Sequence, residues 1–367
     1  MEGRLPAFAS LIQRGVSAPL QTVSNASPII WTSVATGVRP RKHGIRGFTV
    51  AGRNVNATMR RRPAFWNVLT HYGRSVGVLG WWVSYPAEQV EGYLVSPYMV
   101  FFGPRKPERV QVTWEAGDPR RAYPPELLAE LGESVYVAAD AKPEELGAIY
   151  GGADRSSQTP WVWARDRSYY EMALQLMETR PVETVAVYLQ GIDVVSHDLS
   201  YFAYGRNVNR ARKPRVSPEE FEAGLARVEA MYERIDELLA GLLAQTPADA
   251  DVIVVSDHGW EYDGTNHLNR NPGVFLASGP SFRESGRFED VSVLDVTPTL
   301  LALLGVPLSR DFDGLPSEAA LRPGLAAAAR WVDAYPLPSV GLTSGVDGTS
   351  PDDEQLMDRL RALGYVE

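Results

Sequence analysis

Cysteine is absent from the 367 residues. That absence excludes disulfides, thiolate metal sites and a cysteine nucleophile, and it leaves the redox compartment open. Long apolar runs are missing too. No stretch approaches the roughly 18 residues that a membrane-spanning helix requires, and "MEGRLPAFAS" lacks the zones of a signal peptide. The chain as given is therefore expected to be soluble and cytoplasmic, with no membrane partner. Positive charge is in deficit: 36 Lys and Arg stand against 45 Asp and Glu, a net charge of -9. No general nucleic-acid surface is expected, and any anionic ligand must be held by local devices. Histidine is sparse, with five residues, which makes each position informative.

What is present points to a packed α/β chain. Hydrophobic residues make up 44% of the sequence, enough for a sizeable core, and the length predicts one large domain with an insertion, or two domains. "GRLPAFASLIQRG" reads as a helix with Pro6 in the first turn and Gly15 as the stop. "ASPIIWTSVATG" reads as a short helix with Ser27 at the N-cap, Pro28 at the first helical position and Gly37 at the exit. A helix in "RPAFWNVLTHYG" leads to a buried strand over residues 75–83. Later helices, one capped by Thr159, feed the strands "TVAVYLQG" and "DVIVVS"; "GVFLASG" is another buried run, and "VTPTLLALLG" a helix capped by Thr297. Near-continuous Val, Ile and Leu strands between helices predict a largely parallel sheet covered on both faces. The expected layout is a main domain over 1–316, interrupted by a proline-rich insertion at about 84–158, and a 317–367 tail whose last helix docks on the main body.

Two strand ends carry the chemistry. "VAVYLQGIDVVSHD" leaves its strand into Asp193, with His197 four residues on, and "DVIVVSDHGW" leaves its strand into Asp257 and His258. In a parallel α/β sheet both sets fall at the carboxyl edge, where ligands bind. His267 follows nine residues later in "GTNHLN". Carboxylate oxygen and imidazole nitrogen are the donors of a zinc-like divalent ion. Plainer roles exist for each alone: Asp193 as a helix cap, His197 as a core histidine, Asp257 as a turn residue. Together they place three of the five histidines at equivalent strand ends, which favours a metal site. Ser27 opening a helix has the plain role of a cap, but free amides and partial positive charge at a helix start also suit a phosphate. His43 is expected to order its loop, His71 to sit at a helix C-terminus, and Trp81 and Trp82 to lie in the core. "MRRRP" is expected to be a solvated basic loop.

"SPIIWTSVATGVRPRKHGI", "GIDVVSH", "VVSDHGW", "NHLNRNPGVFLASGP" and "LDVTPTLLALLG" occur in that order. Together they resemble the alkaline phosphatase superfamily, specifically its type I phosphodiesterase/nucleotide pyrophosphatase branch, from the first helix to about Gly314. The resemblance implies an α/β three-layer sandwich with a mixed, mostly parallel central sheet. It implies two divalent ions, usually zinc with manganese as the alternative, bridged by the phosphate of a small-molecule ester. Asp193, His197 and His267 match the ligands of one metal, Asp257 and His258 match two of the other's, and Ser27 falls at the nucleophile position. The implied activity is hydrolysis of a phosphoric ester through a phosphoseryl intermediate; a non-catalytic phospho-ligand-binding protein or a phosphomutase are the alternatives.

Two departures qualify the match, and a separate absence disfavours a sulfatase. Relatives begin with a strand ending in a metal-ligating Asp, whereas here the first helix follows Met1 directly and no Asp precedes Asp118; the expectation is a sheet lacking that strand, in a chain that starts late or has a degenerate site. Nucleotide pyrophosphatases hold phosphate with an Asn three residues after the nucleophile, where this chain has Ile30. The sulfatase pattern, with Pro two residues after the nucleophile and Arg two further on, is absent at Ser27.

Overall fold

The computed structural model describes residues 3–100, 118–136, 149, 159–204, 217–260, 271–289, 291–337 and 347–362. Helix α1 (Pro6–Arg14) begins on a proline, which has no N–H to leave unpaired in a first turn. Its N-cap residue Leu5 supplies no side-chain bond. The buried carboxylate of Asp236 does so from across the fold, accepting from the amides of Ala7 and Phe8 at 3.1 and 2.9 Å.

Strand β1 (Val16–Gln21) follows at once. The sequence did not suggest it, because "VSAPLQ" has a proline in its middle, and proline is normally excluded from a sheet interior. The neighbouring strands explain the exception. β1 pairs along one side with β7 (Gly273–Ser278), and along the other with two short strands, β8 (Gly286–Arg287) and β9 (Val291–Ser292). On that second side the carbonyls of Ser17 and Gln21 accept from Phe288 and Val293. Pro19 lies between them and turns its nitrogen the same way, into the gap where neither β8 nor β9 is in register.

The described strands form two main sheets. One runs β8–β1–β7–β6, with β6 (Val252–Val255) and β1 both antiparallel to β7, and with β9 beside β1. The other runs β4–β3–β2–β5: β3 (Gly92–Val95) and β5 (Thr184–Val187) lie parallel to β2 (Val76–Leu79), and β4 (Ala122–Tyr123) lies antiparallel to β3. β3 and β4 come from the 84–158 stretch. The strand expected over 75–83 ends at Leu79, because Gly80 takes a φ of 71° and Val83 one of 59°, so Trp81 and Trp82 leave the sheet in a loop. Among the described residues no strand precedes α1.

Helices α3 (Phe65–His71), α4 (Thr159–Thr179), α5 (Gly191–Tyr204), α6 (Pro218–Gln245) and α7 (Val296–Leu303) surround the sheets. The main core gathers residues of both sheets, including Val78, Leu94, Phe275 and Ala277, around Trp31, Phe65, Trp66 and Trp81. The last helix, α8 (Asp353–Ala362), is reached through side chains of the 84–123 region and of the short hairpin at 49–54: Asn54 donates to the Asp353 carbonyl at 2.8 Å, Tyr98 to its carboxylate at 3.0 Å, and Arg121 pairs with Asp352, just before the helix, at 2.6 Å.

The "MRRRP" segment is not the solvated basic loop expected. Arg60 is 2% exposed, and its Nη2 donates to both oxygens of the fully buried Glu88 at 2.7 Å. Glu88 also accepts from the Trp66 indole at 2.8 Å, and the guanidinium lies over that indole. Arg62 pairs with Asp311. A buried ion pair is worth little against an apolar replacement, but removing one partner strands the other charge. Glu88→Ala should therefore lower stability by about 3–5 kcal/mol in urea unfolding, and the Arg60→Met/Glu88→Leu pair should recover most of it; equal losses in the two variants would show that burial of the charge is not the cause.

Candidate functional site

Ser27 is the first residue of helix α2 (Ser27–Thr36). The expectation that it caps the helix is corrected: Ala26 is the N-cap, extended at φ -113° and ψ 116°, and its carbonyl accepts from Ile29 and Ile30. The extra bond to that carbonyl draws the helix start back by one residue, a shift that composition cannot settle. Its hydroxyl is therefore not spent on the helix. Instead it lies near the carboxylate of Asp257, where it favours the ionised form of that group. The exit is as expected, with Gly37 left-handed at φ 64°.

Aromatic packing fixes where α2 sits. Trp31, one turn after Ser27, meets the ring of Tyr188 edge-on at 4.8 Å and that of Trp81 at 5.0 Å. The Trp81 indole donates to the Trp31 carbonyl at 3.2 Å. Tyr188 directly follows β5, so this contact ties the serine helix to the strand end that leads to Asp193. Thr297, expected as a cap, is buried and donates to the Val34 carbonyl at 2.6 Å; Asp295 is the N-cap of α7. Trp82, expected in the core, is half-buried and donates to the Tyr188 hydroxyl at 2.9 Å. Ile30 is fully buried in the main core.

His43 supports α2 from the other side. The amide of Ile45 donates to its Nδ1 at 3.2 Å, so the proton sits on Nε2, which meets the Ser33 hydroxyl at 3.0 Å; Ser33 donates in turn to the Ile29 carbonyl. Burial, with the Arg60 guanidinium nearby, pushes the imidazole down to about 3. The expected loop-ordering role fits this geometry.

The predicted donors meet in a chain of contacts. Asp193 lies in the first turn of α5, after β5, with His197 one turn on; Asp257 and His258 follow β6. Asp193 Oδ1 stands 3.5 Å from His197 Nε2 and 3.7 Å from His258 Nε2, and His258 Nε2 stands 3.6 Å from Asp257 Oδ2. Ser27, Asp257 and His258 are each under 9% exposed. Burial pushes the Asp257 carboxyl up, and Asp193 adds to this while His258 opposes it. Burial pulls His258 down, but Asp257 and Asp193 outweigh it and the net shift is upward. His197 is pulled down by burial, partly offset by Asp193. The edge of its ring relationship with Trp260, at 4.7 Å, closes that side.

These spacings suit a shared cation better than direct hydrogen bonds. A strong N–H···O bond is about 2.7–3.2 Å long, whereas two donors about 2.0–2.2 Å from one tetrahedral metal lie roughly 3.3–3.6 Å apart. Asp257 Oδ2 is buried with no hydrogen-bond donor among the described residues. Two carboxylates facing one imidazole also leave net negative charge away from water, which a divalent ion would neutralise. The donors fit such an ion in kind and in pairwise spacing. No three of them converge into a complete coordination group among the described residues. His267 lies outside those residues, so its predicted place is not part of this geometry.

Sequence reasoning missed two groups that shape the site. Tyr188 reads as an ordinary strand residue, and Asp166, on α4, gives no signal in sequence that it accepts from the amides of Gln190 and Gly191 at the start of α5.

Several solved structures share this architecture. A 2-O GAG sulfatase is 12% identical over 92% of this chain and 72% of its own, with a TM-score of 0.56. A protein solved with its substrate D-glucosamine-2-N,6-O-disulfate is 12% identical over 92% and 80%, with a TM-score of 0.50. Murine ectonucleotide pyrophosphatase/phosphodiesterase 5 aligns over 82% of this chain and 90% of its own at 13% identity, with a TM-score of 0.45. No curated protein matches the chain in sequence. The fold is the alkaline-phosphatase-like α/β sandwich, that of a class of hydrolases acting on phosphate or sulfate esters. Residues 1–266 match the type I phosphodiesterase/nucleotide pyrophosphatase family, and the chain belongs to it. Among the described residues no helix is long and apolar enough to cross a membrane.

The buried His43 yields a pH test. Its folded pKa, about 3, lies below the unfolded value of 6.5, so between these values the unfolded chain binds more protons. The contribution is fully present above 6.5 and fades as the pH falls toward 3; at pH 5 the loss is roughly 2 kcal/mol. Chemical unfolding at pH 7 and pH 5 should show that decline in the wild type and a shallower one in His43→Asn. Identical declines would remove His43 as the source.

Proposed function

We propose that the protein is a two-metal hydrolase of phosphoric esters, acting on diesters in preference to monoesters, with Ser27 as nucleophile. The observation that carries this is the gathering of Asp193, His258 and Asp257 within 3.6–3.7 Å contacts, with the buried Ser27 at the start of α2 close to Asp257. Asp193 and His197, with His267, would hold one divalent ion, and Asp257 and His258 would contribute to the other. Bound there, zinc or manganese would lower the pKa of the serine hydroxyl and neutralise charge on the phosphoryl oxygens.

The chain's own residues do the rest. Asp257, close to Ser27, would orient its hydroxyl, which has no capping duty to compete. The amino end of α2 offers partial positive charge to an anion. Attack of the serine oxygen forms a P–O bond as the bond to the ester oxygen breaks, and the alcohol departs with a proton; water then attacks the phosphoserine and returns the serine hydroxyl. Phosphate is favoured over sulfate because Ser27 is followed directly by Pro28 and lacks the sulfatase spacing. With Ile30 packed in the core, no side chain at that position holds the phosphate as an Asn would, which argues against a nucleotide-specific pyrophosphatase.

A second possibility, a phospho-ligand-binding protein without turnover, draws on the incomplete donor set among the described residues. Metal analysis separates the two: two ions per chain with turnover support the hydrolase, and one or none without turnover supports the binder. Ser27→Ala should fold as the wild type does and lose metal-dependent release of nitrophenol from bis(p-nitrophenyl) phosphate by roughly three orders of magnitude. A Ser27→Ala protein as active as the wild type would end the assignment of the nucleophile.

A further inference from the structure

The metal-donor arm on α5 is anchored from a distance. Asp193 is the third residue of that helix and His197 the seventh, so the placement of both follows from how the helix starts. A carboxylate from another helix meets its opening amides. Gln190 N lies 2.9 and 3.0 Å from the two carboxylate oxygens of Asp166, and Gly191 N lies 2.6 Å from Oδ2. Asp166 belongs to α4 and is fully buried.

Its neighbour Arg165 extends the anchor. Arg165 Nη1 lies 3.3 Å from Asp166 Oδ1, and Nη2 donates to the Gly80 carbonyl at 3.3 Å, where the chain leaves β2. The guanidinium lies over the rings of Tyr169 and Tyr188, 4.6 and 5.7 Å from their centroids. One dyad therefore holds the exits of two adjacent parallel strands. Gly191 is what lets the carboxylate come so close: a Cβ there would sit 2.8 Å from Asp166 Oδ2 and 3.0 Å from Met231 Sδ.

A helix start can be capped by a local Ser, Asn or Asp at no cost in buried charge. A buried carboxylate reaching two successive amides is a more demanding device, and what it adds is a fixed height and rotation of the first turn. That turn carries Asp193, whose Oδ1 is the point approached by both His197 and His258. We propose that Asp166, seated by Arg165, is a positioning residue that holds Asp193 and His197 in the geometry a divalent ion requires; the proposal rests on the metal-site assignment above.

The test uses the full chain and zinc alone, measured by competition with a chromophoric chelator. Asp166→Asn keeps one acceptor and loses the other, and should weaken zinc binding by about 10–100-fold, as loss of an outer-shell partner does. Gly191→Ala should do the same. Asp295→Asn is the control for stability: Asp295 also accepts two amides, Ser292 and Leu315, both at 2.9 Å, but on the α7 loop. It should lower the urea midpoint and leave zinc affinity unchanged. A folded Asp166→Asn with wild-type affinity, or an equal loss in Asp295→Asn, would overturn the proposal. Should the wild type itself bind no zinc, the metal-site assignment falls, and the metal-free histidine NMR spectrum decides the rest. A displaced His197 imidazole signal in Asp166→Asn supports the positioning role, and an unmoved one refutes it.

Discussion

Two carboxylates, Asp193 and Asp257, approach one imidazole nitrogen, that of His258, at 3.7 and 3.6 Å, and this close gathering of charge depends on the packing around it. Charged groups shielded from water are paired, hydrogen-bonded, shifted toward their neutral form or bound to a cation. His258 pairs with both at distances too long for good hydrogen bonds. Under the proposed two-metal reading, a divalent ion at the carboxyl ends of β5 and β6 would offset this charge.

Keeping like charges together requires rigid surroundings, and the fold supplies these by packing and by remote hydrogen bonds. Trp31, Trp81 and Tyr188 lock the helix of Ser27 to the end of β5 through edge-to-face contacts worth about 0.5–1.5 kcal/mol each beyond burial. His43, kept neutral, and Thr297 bind α2 from two further directions. Carboxylates on distant helices cap α1 and α5.

Much of this was legible in the residues. The Pro and Gly punctuation of "SPIIWTSVATG" marked α2, and the apolar runs ending in Asp193 and Asp257 marked two strand ends whose donors do meet. Boundaries were less legible. The strand after α3 stops at Leu79, because positive φ at Gly80 and Val83 is a property of the loop packing and not of the apolar letters "LGWWV". β1 was hidden by Pro19, which is tolerated only because β8 and β9 leave a gap beside it. Arg60 reads as a surface charge within a run of arginines until Glu88, 28 residues on, is seen to bury it.

The sequence by itself determined the chemical kinds: oxygen and imidazole donors at strand ends, a serine at a helix start, and no thiol anywhere. These follow from side-chain chemistry and local periodicity, which neighbouring residues encode. Only the tertiary structure decided that Ser27 lies near Asp257 and does not cap its helix, and that Asp166 accepts from the amides at the start of α5. Such contacts join residues 24 to 230 positions apart, and no local pattern specifies a partner that arrives only when sheets and helices pack.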